Sequence, residues 1–121
     1  MEGIKAIAVD IDGTLTDKSR KICVSAIESI RKVEDKGIPD IIVTGNEFFY
    51  AYATAVLVGC SGGIVAENGG VISHKKEDSH NEANDSQKLE VLGDINKVKK
   101  AYKHLKSNLE EEYDFEIVDD S

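Results

Sequence analysis

Cysteine is scarce in this chain. Cys23 and Cys60 are the only two and no C-x-x-C spacing joins them, which argues against a disulfide framework and for buried, reduced thiols in a cytoplasmic protein. Basic residues are also short. Fifteen stand against 23 acidic ones, a formal net charge of −8, so there is no positive footprint for nucleic acid or an anionic membrane surface. No apolar h-region follows Lys5; a strand and a turn come instead, and no signal peptide is expected. Phe48 to Ala66 carries no charge over nineteen residues, close to the length of a membrane span. Gly59, Ser61, Gly62 and Gly63 interrupt it, so it reads as a buried helix followed by a buried strand. At 121 residues the chain suits one domain.

What the chain does have is concentrated near its start. Ile4, Ala6, Ile7, Ala8 and Val9 read as a buried parallel strand. It ends in Asp10-Ile11-Asp12-Gly13-Thr14. Side chains alternate along a strand, so Asp10 and Asp12 point to one side, and Gly13 permits the sharp turn that follows. Two converging carboxylates are costly unless a cation or a proton sits between them. On pattern alone two readings stand: a catalytic or metal-binding pair, and two solvated turn aspartates, since Asp-Gly is a common turn dipeptide. A calcium-binding EF-hand loop fails, because glycine falls at the fourth loop position and Lys21 stands at the twelfth.

Apolar residues then recur at helical spacing in Ile22, Ala26, Ile27, Ile30 and Val33, with Gly37 as the stop. Pro39 leads into the strand Ile41 to Val43, whose preceding Asp40 is expected at a solvated strand entrance. A helix from about Glu47 to Val58, a strand from Gly63 to Ala66 and a hairpin turn at Asn68-Gly69 follow. The stretch 74–88, with His74 and His80, is polar and reads as a linker. Beyond it come a short strand (Leu89 to Leu92), a helix N-capped by Asp94 with Ile95, Val98, Ala101, Tyr102, Leu105 and Leu109 on its apolar stripe, and a strand from Tyr113 to Val118.

DIDGTLTD at 10–17 resembles the first signature of the haloacid dehalogenase (HAD) superfamily, and Ile41-Ile42-Val43-Thr44-Gly45-Asn46 resembles the second, a strand ending in Thr or Ser. Ala66 to Gly70, AENGG, resembles the hairpin that precedes an α/β cap in one subgroup. With KGIP and GCSGGIVAENGG, the likeness is closest to archaeal phosphoglycolate phosphatases. It covers residues 4–73 well and the remainder weakly. The resemblance implies an α/β fold: a partial HAD-type Rossmann-like parallel sheet with helices (residues 1–73), the linker at 74–88 and part of a small α/β cap (89–121). It further implies Asp10 as nucleophile and Asp12 as general acid and base, with Mg2+ held by Asp10 and the carbonyl of Asp12. Thr44, Gly45, Asn46 and Gly13 would bind the phosphate of a small phosphorylated metabolite. Thr44-Gly45-Asn46 also suits helix capping alone, and both uses are compatible.

The same resemblance asks for a lysine and a distal acidic motif that normally follow the cap. Gly93-Asp94 imitates the latter's start but precedes a helix; Asp119-Asp120 imitates it too, against the alternative of a cap strand with a polar exit. Lys97, Lys99 and Lys100 read by default as a solvated helix face. The expected activity is a phosphomonoester hydrolase, weak or absent in this chain alone. Sugar-phosphate phosphatase and phosphomutase are the neighbouring activities. The alternative is a non-catalytic module that binds a metal, a phosphorylated ligand or a partner. The first strand's free edge is expected to promote self-association or pairing with a complementing chain.

Overall fold

A computed structural model describes residues 3–75 and 87–109. One five-stranded sheet organises them in the order β1 (Ile7–Val9), β2 (Asp40–Val43), β3 (Ile64–Ala66), β4 (Val71–Lys75), β5 (Gln87–Val91). The first three strands are parallel, with Ile7 beside Asp40 and Ile42 beside Ile64; β4 and β5 run antiparallel. The parallel steps are joined through α1 (Val24–Asp35) and α2 (Phe48–Val58), and α3 (Ile95–Leu109) follows β5.

The core is a single apolar layer between the sheet and the first two helices. Ile42, Ile64 and Ala66 meet Ile30 of α1 and Ala51, Ala55 and Val58 of α2, with Ile11 and Leu15 plugging the end nearest β1. The expected stripe of α1 supplies Ala26, Ile27 and Ile30 to this layer. Its stop is a Schellman turn: the Ile38 amide reaches Val33 O at 3.3 Å and the Gly37 amide reaches Glu34 O at 2.8 Å. The expected N-cap of α3 is present, Asp94 Oδ1 accepting from the amides of Asn96 (2.9 Å) and Lys97 (3.3 Å).

Several expectations change. The first strand is regular only over Ile7–Val9 and half-exposed; among the described residues it has a strand neighbour on one side alone, β2. Between β1 and α1 lies an apolar groove of about 260 Å³ bordered by Ile7, Val9, Ala26, Ile30 and Asp40. Asp40 is buried, at 2% exposure, instead of solvated. The uncharged helix α2 buries Ala51, Ala55 and Val58 but leaves Phe49 at 79% and Leu57 at 76% exposure. The strand expected at Leu89 to Leu92 pairs with β4, Val71 opposite Val91, so it extends the sheet. Strand structure continues to Lys75 and resumes at Gln87, which leaves 76–86 of the expected linker outside the described residues. Tyr113 to Val118, Asp119, Asp120 and His80 lie outside them as well.

Candidate active site

Parallel strands deliver their carboxyl ends to one side of the sheet, and there β1 and β2 end in Asp10-Ile11-Asp12 and Thr44-Gly45-Asn46. After β1 the chain winds into a tight turn around Ile11, whose carbonyl oxygen accepts the amides of Thr14, Leu15 and Thr16. With Ile11 buried at 1% and Leu15 at 2%, this turn is anchored in the core while Asp10 and Asp12 stay exposed. Gly13 sits at φ +78°, the left-handed region that the expected sharp turn requires. Beyond it the chain doubles back through a bridge between Thr16 and Ile22. Asp17 ties that loop: its carboxylate accepts from the hydroxyl and amide of Ser19 and the amide of Lys21, which holds its pKa below the ordinary value, chiefly through the Ser19 hydroxyl.

The two strand ends are joined by one side chain. Asn46 Nδ2 donates to Asp12 Oδ2 at 2.7 Å and to Thr44 Oγ1 at 3.0 Å, and the Asn46 amide donates to the same Thr44 oxygen at 3.1 Å. Thr44 is buried, at 5% exposure, and its own amide bonds Val65 O. Asp10 Oδ1 accepts from the Ile11 amide at 2.8 Å, leaving its second oxygen for chemistry. The Gly13 amide, expected to face phosphate, instead donates to Thr16 Oγ1 at 3.1 Å. The amides of Asp12 and Gly45 have no such partner among the described residues. No basic side chain pairs with Asp10 or Asp12 among them either.

The hairpin after β3, to which the sequence assigned no chemistry, braces this loop. The Glu67 amide donates to Asn46 O (3.0 Å) and the Asn68 amide to Thr44 O (3.3 Å). Both residues hold left-handed backbone, φ +53° and +55°, a sparsely populated state for residues with side chains. Asn68 also lies close over the glycine between Thr44 and Asn46: a Cβ at Gly45 would stand 2.8 Å from Asn68 Oδ1, so that side chain would have to shift. The Asn-Gly pair is the sequence signal for this turn, but nothing in the pattern says that it closes over the preceding strand end.

Comparison with known proteins decides the family. The sequence model of the haloacid dehalogenase-like hydrolases matches residues 7–120. The chain belongs to the haloacid dehalogenase-like hydrolases. It is 52% identical over 118 residues to the phosphoglycolate phosphatase of Methanobrevibacter smithii, covering 98% of this chain and 47% of that protein. Against the phosphoglycolate phosphatase of Methanothermobacter thermautotrophicus it is 50% identical over 103 residues, covering 85% and 42%. Among solved structures it is similar to Thermoplasma acidophilum 0175, with a TM-score of 0.69 and 30% identity over 87% of this chain and 42% of that one. The chain therefore spans less than half the length of these HAD relatives, and the structural match is to their amino-terminal part.

A hard divalent cation suits the donors at this HAD-type strand end. The second oxygen of Asp10 and the carbonyl of Asp12 are both oxygen ligands, and both residues are exposed enough to leave positions for water. Among the described residues no group of three or more His, Cys, Asp or Glu side chains gathers to hold a metal, so this pair supplies only part of a coordination shell. No helix among the described residues is long and apolar enough to cross a membrane.

Proposed function

We propose that this chain carries the nucleophile-bearing half of a Mg2+-dependent phosphomonoesterase acting on a small phosphorylated metabolite of the phosphoglycolate type. The observation that carries the reading is the meeting of Asp12 with Thr44 and Asn46 across the ends of β1 and β2, in a chain half-identical to phosphoglycolate phosphatases. In this reading a carboxylate oxygen of Asp10 attacks phosphorus, the phosphorus–oxygen ester bond breaks, and the leaving oxygen takes a proton from Asp12. Water then attacks the aspartyl-phosphate, giving its proton to Asp12, and orthophosphate departs as Asp10 is regenerated. Thr44 and the amides of Gly45 and Asp12 receive the phosphate oxygens. Asp10 and the Asp12 carbonyl would hold Mg2+, which supplies charge neutralisation when bound.

The resemblance also calls for a lysine and distal acids, and the chain spans 47% and 42% of the two phosphoglycolate phosphatases compared above. Uncatalysed phosphate monoester hydrolysis needs acceleration approaching ~10²¹, and a single lost electrostatic donor costs about 10²–10³ in turnover. Weak or absent turnover by these 121 residues alone is the expectation. A second reading follows from the edge of β1 that no strand among the described residues pairs and from the apolar groove between β1 and α1: a module that works when a complementing polypeptide, or another copy, covers that edge. The division into a core (1–73), a linker and a partial cap (89–121) belongs to this proposal too.

The test is Mg2+-dependent hydrolysis of phosphoglycolate and of an aryl phosphate by the purified chain and by Asp10→Asn. Turnover abolished by the substitution supports a complete site in the chain or its oligomer. A folded wild type without turnover supports the module reading, and turnover that survives Asp10→Asn refutes the assigned nucleophile.

A further inference from the structure

Asn46 was expected to contact phosphate, and its hydrogen bonds argue for a different task. A carboxamide nitrogen carries two hydrogens. Here one lies toward Asp12 Oδ2 and the other toward Thr44 Oγ1, so the nitrogen has no donor left for a ligand. What remains is Oδ1, an acceptor, which a phosphate oxygen repels. The carboxamide nitrogen, and not Oδ1, faces both Asp12 Oδ2 and Thr44 Oγ1.

The consequence for Thr44 is equally definite. A hydroxyl oxygen has two acceptor positions and one proton to give. Both acceptor positions are filled by Asn46, from its backbone amide at 3.1 Å and its side chain at 3.0 Å, and the hydroxyl donates to nothing among the described residues. The proton of this nearly buried group is therefore the free end, committed to donating before any ligand arrives. Donors oriented in advance need no reorganisation when an oxyanion enters. Asn46 is itself locked, its carbonyl accepting the Glu67 amide at 3.0 Å.

We propose that Asn46 is a positioning residue. It polarises Thr44 into a dedicated phosphate donor and pins Asp12 beside it, without touching phosphate. The proposal rests on the phosphatase reading and deepens it, and two measurements separate their fates. In the first, the side-chain amide signals of Asn46 are followed by 15N NMR in the intact, ligand-free chain and in Asp12→Asn and Thr44→Val. Both substitutions should shift these signals and speed their exchange with water; signals indifferent to both overturn the proposal. In the second, inorganic phosphate is titrated in the presence of Mg2+ into wild type, Thr44→Val, Asn46→Ala and the double variant, with folding checked by circular dichroism.

Thr44→Val should weaken phosphate binding by about 10- to 100-fold, the value of a hydrogen bond to a charged group. Asn46→Ala should do nearly the same in wild type, yet change affinity less than about twofold when Thr44 is already valine. Losses that multiply would mean that Asn46 binds phosphate itself, and would overturn the proposal while leaving the phosphatase reading intact. A folded wild type that binds no phosphate overturns that reading and the positioning role with it, even if the NMR response confirms the bonds. Should Asn46→Ala not fold, Asn46→Ser, alone and combined with Thr44→Val, takes its place in the same titration with the same expected and overturning results.

Discussion

Replacing Asp40 by asparagine should stabilise the fold at neutral pH and do little at pH 4. Asp40 begins β2 at the end of the sheet opposite the candidate site, 2% exposed, and its Oδ2 is buried without a hydrogen-bond partner among the described residues. Its neighbour Glu34 is fully engaged, accepting from the amides of Asp40 (2.7 Å) and Ser61 (2.8 Å) and from the Ser61 hydroxyl (2.6 Å). Burial, and then the negative charge of Glu34, push the Asp40 pKa above its ordinary value of 3.8. The native state therefore holds a proton at pH values where the unfolded chain has released it, and stability falls as pH rises from about 3.8 through the raised value. Above that window the fold carries a buried carboxylate with an unpaired oxygen, a cost of about 1–3 kcal/mol. The Asp40→Asn substitution would remove the charge, recovering about 1–2 kcal/mol, or roughly 4–15 °C in Tm for a domain of this size. The assay is urea and thermal unfolding of both proteins at pH 4 and pH 7, read as the difference between them at each pH, which cancels the other carboxylates. A gain equal at both pH values, or a loss at pH 7, refutes the reasoning.

Three further outcomes are expected. Arg31 caps the end of α2, its guanidinium donating to the carbonyls of Val58 and, at 3.1 Å, Leu57; Arg31→Ala should cost roughly 1–2 kcal/mol in urea unfolding, and a neutral result would mean that water replaces the cap. Burial first, then the charges of Asp40 and Glu34, push the Cys60 thiol up to about 11, so at pH 8 iodoacetamide should label it about 100-fold more slowly in the folded chain than in urea, which peptide mass analysis would read. Phosphate binding should vanish in EDTA and return with Mg2+, because the site offers two carboxylates and no paired cation among the described residues; metal-independent binding would place a basic group there.

The parts of this fold that were legible in the sequence are those set by local pattern. The stripe Ala26, Ile27 and Ile30 marked α1, Gly37 its stop, Asp94 the start of α3, and Asn68-Gly69 the hairpin. Asp10, Asp12 and Thr44 were recognisable because they end apolar strands, and a parallel sheet brings such ends together. What was not legible depends on neighbours distant in sequence. The residues before Asp10 are as apolar as a central strand, yet whether one is buried depends on flanking strands that its own residues do not encode. Asp40 looked like a solvated entrance because a lone acid usually is, and only the packing of α1 and the 60–62 turn encloses it. The hydrogen bonds of Asn46 were not legible for a related reason: the motif supplies a carboxamide but not its partner, Asp12, 34 residues away.

These observations bear on why the site is built in this way. On the proposed reading, a phosphate monoester would bring negative charge into a chain of net charge −8, toward the two carboxylates of Asp10 and Asp12. Neutral donors alone cannot offset that repulsion. They can instead hold each anionic group in one orientation, so that whatever positive charge completes the site acts on a fixed target. Asn46 does this for Asp12, the Ile11 amide for Asp10, and Glu67 and Asn68 for the loop that carries Thr44. The two left-handed non-glycine residues, at a cost on the order of 1–3 kcal/mol each, place the Glu67 and Asn68 amides on the carbonyls of Asn46 and Thr44. On the proposed reading, a site held by these bonds would keep its geometry whether or not a cation or turnover is present. That is why phosphate affinity and the NMR signals of Asn46 report on it more directly than the rate of hydrolysis.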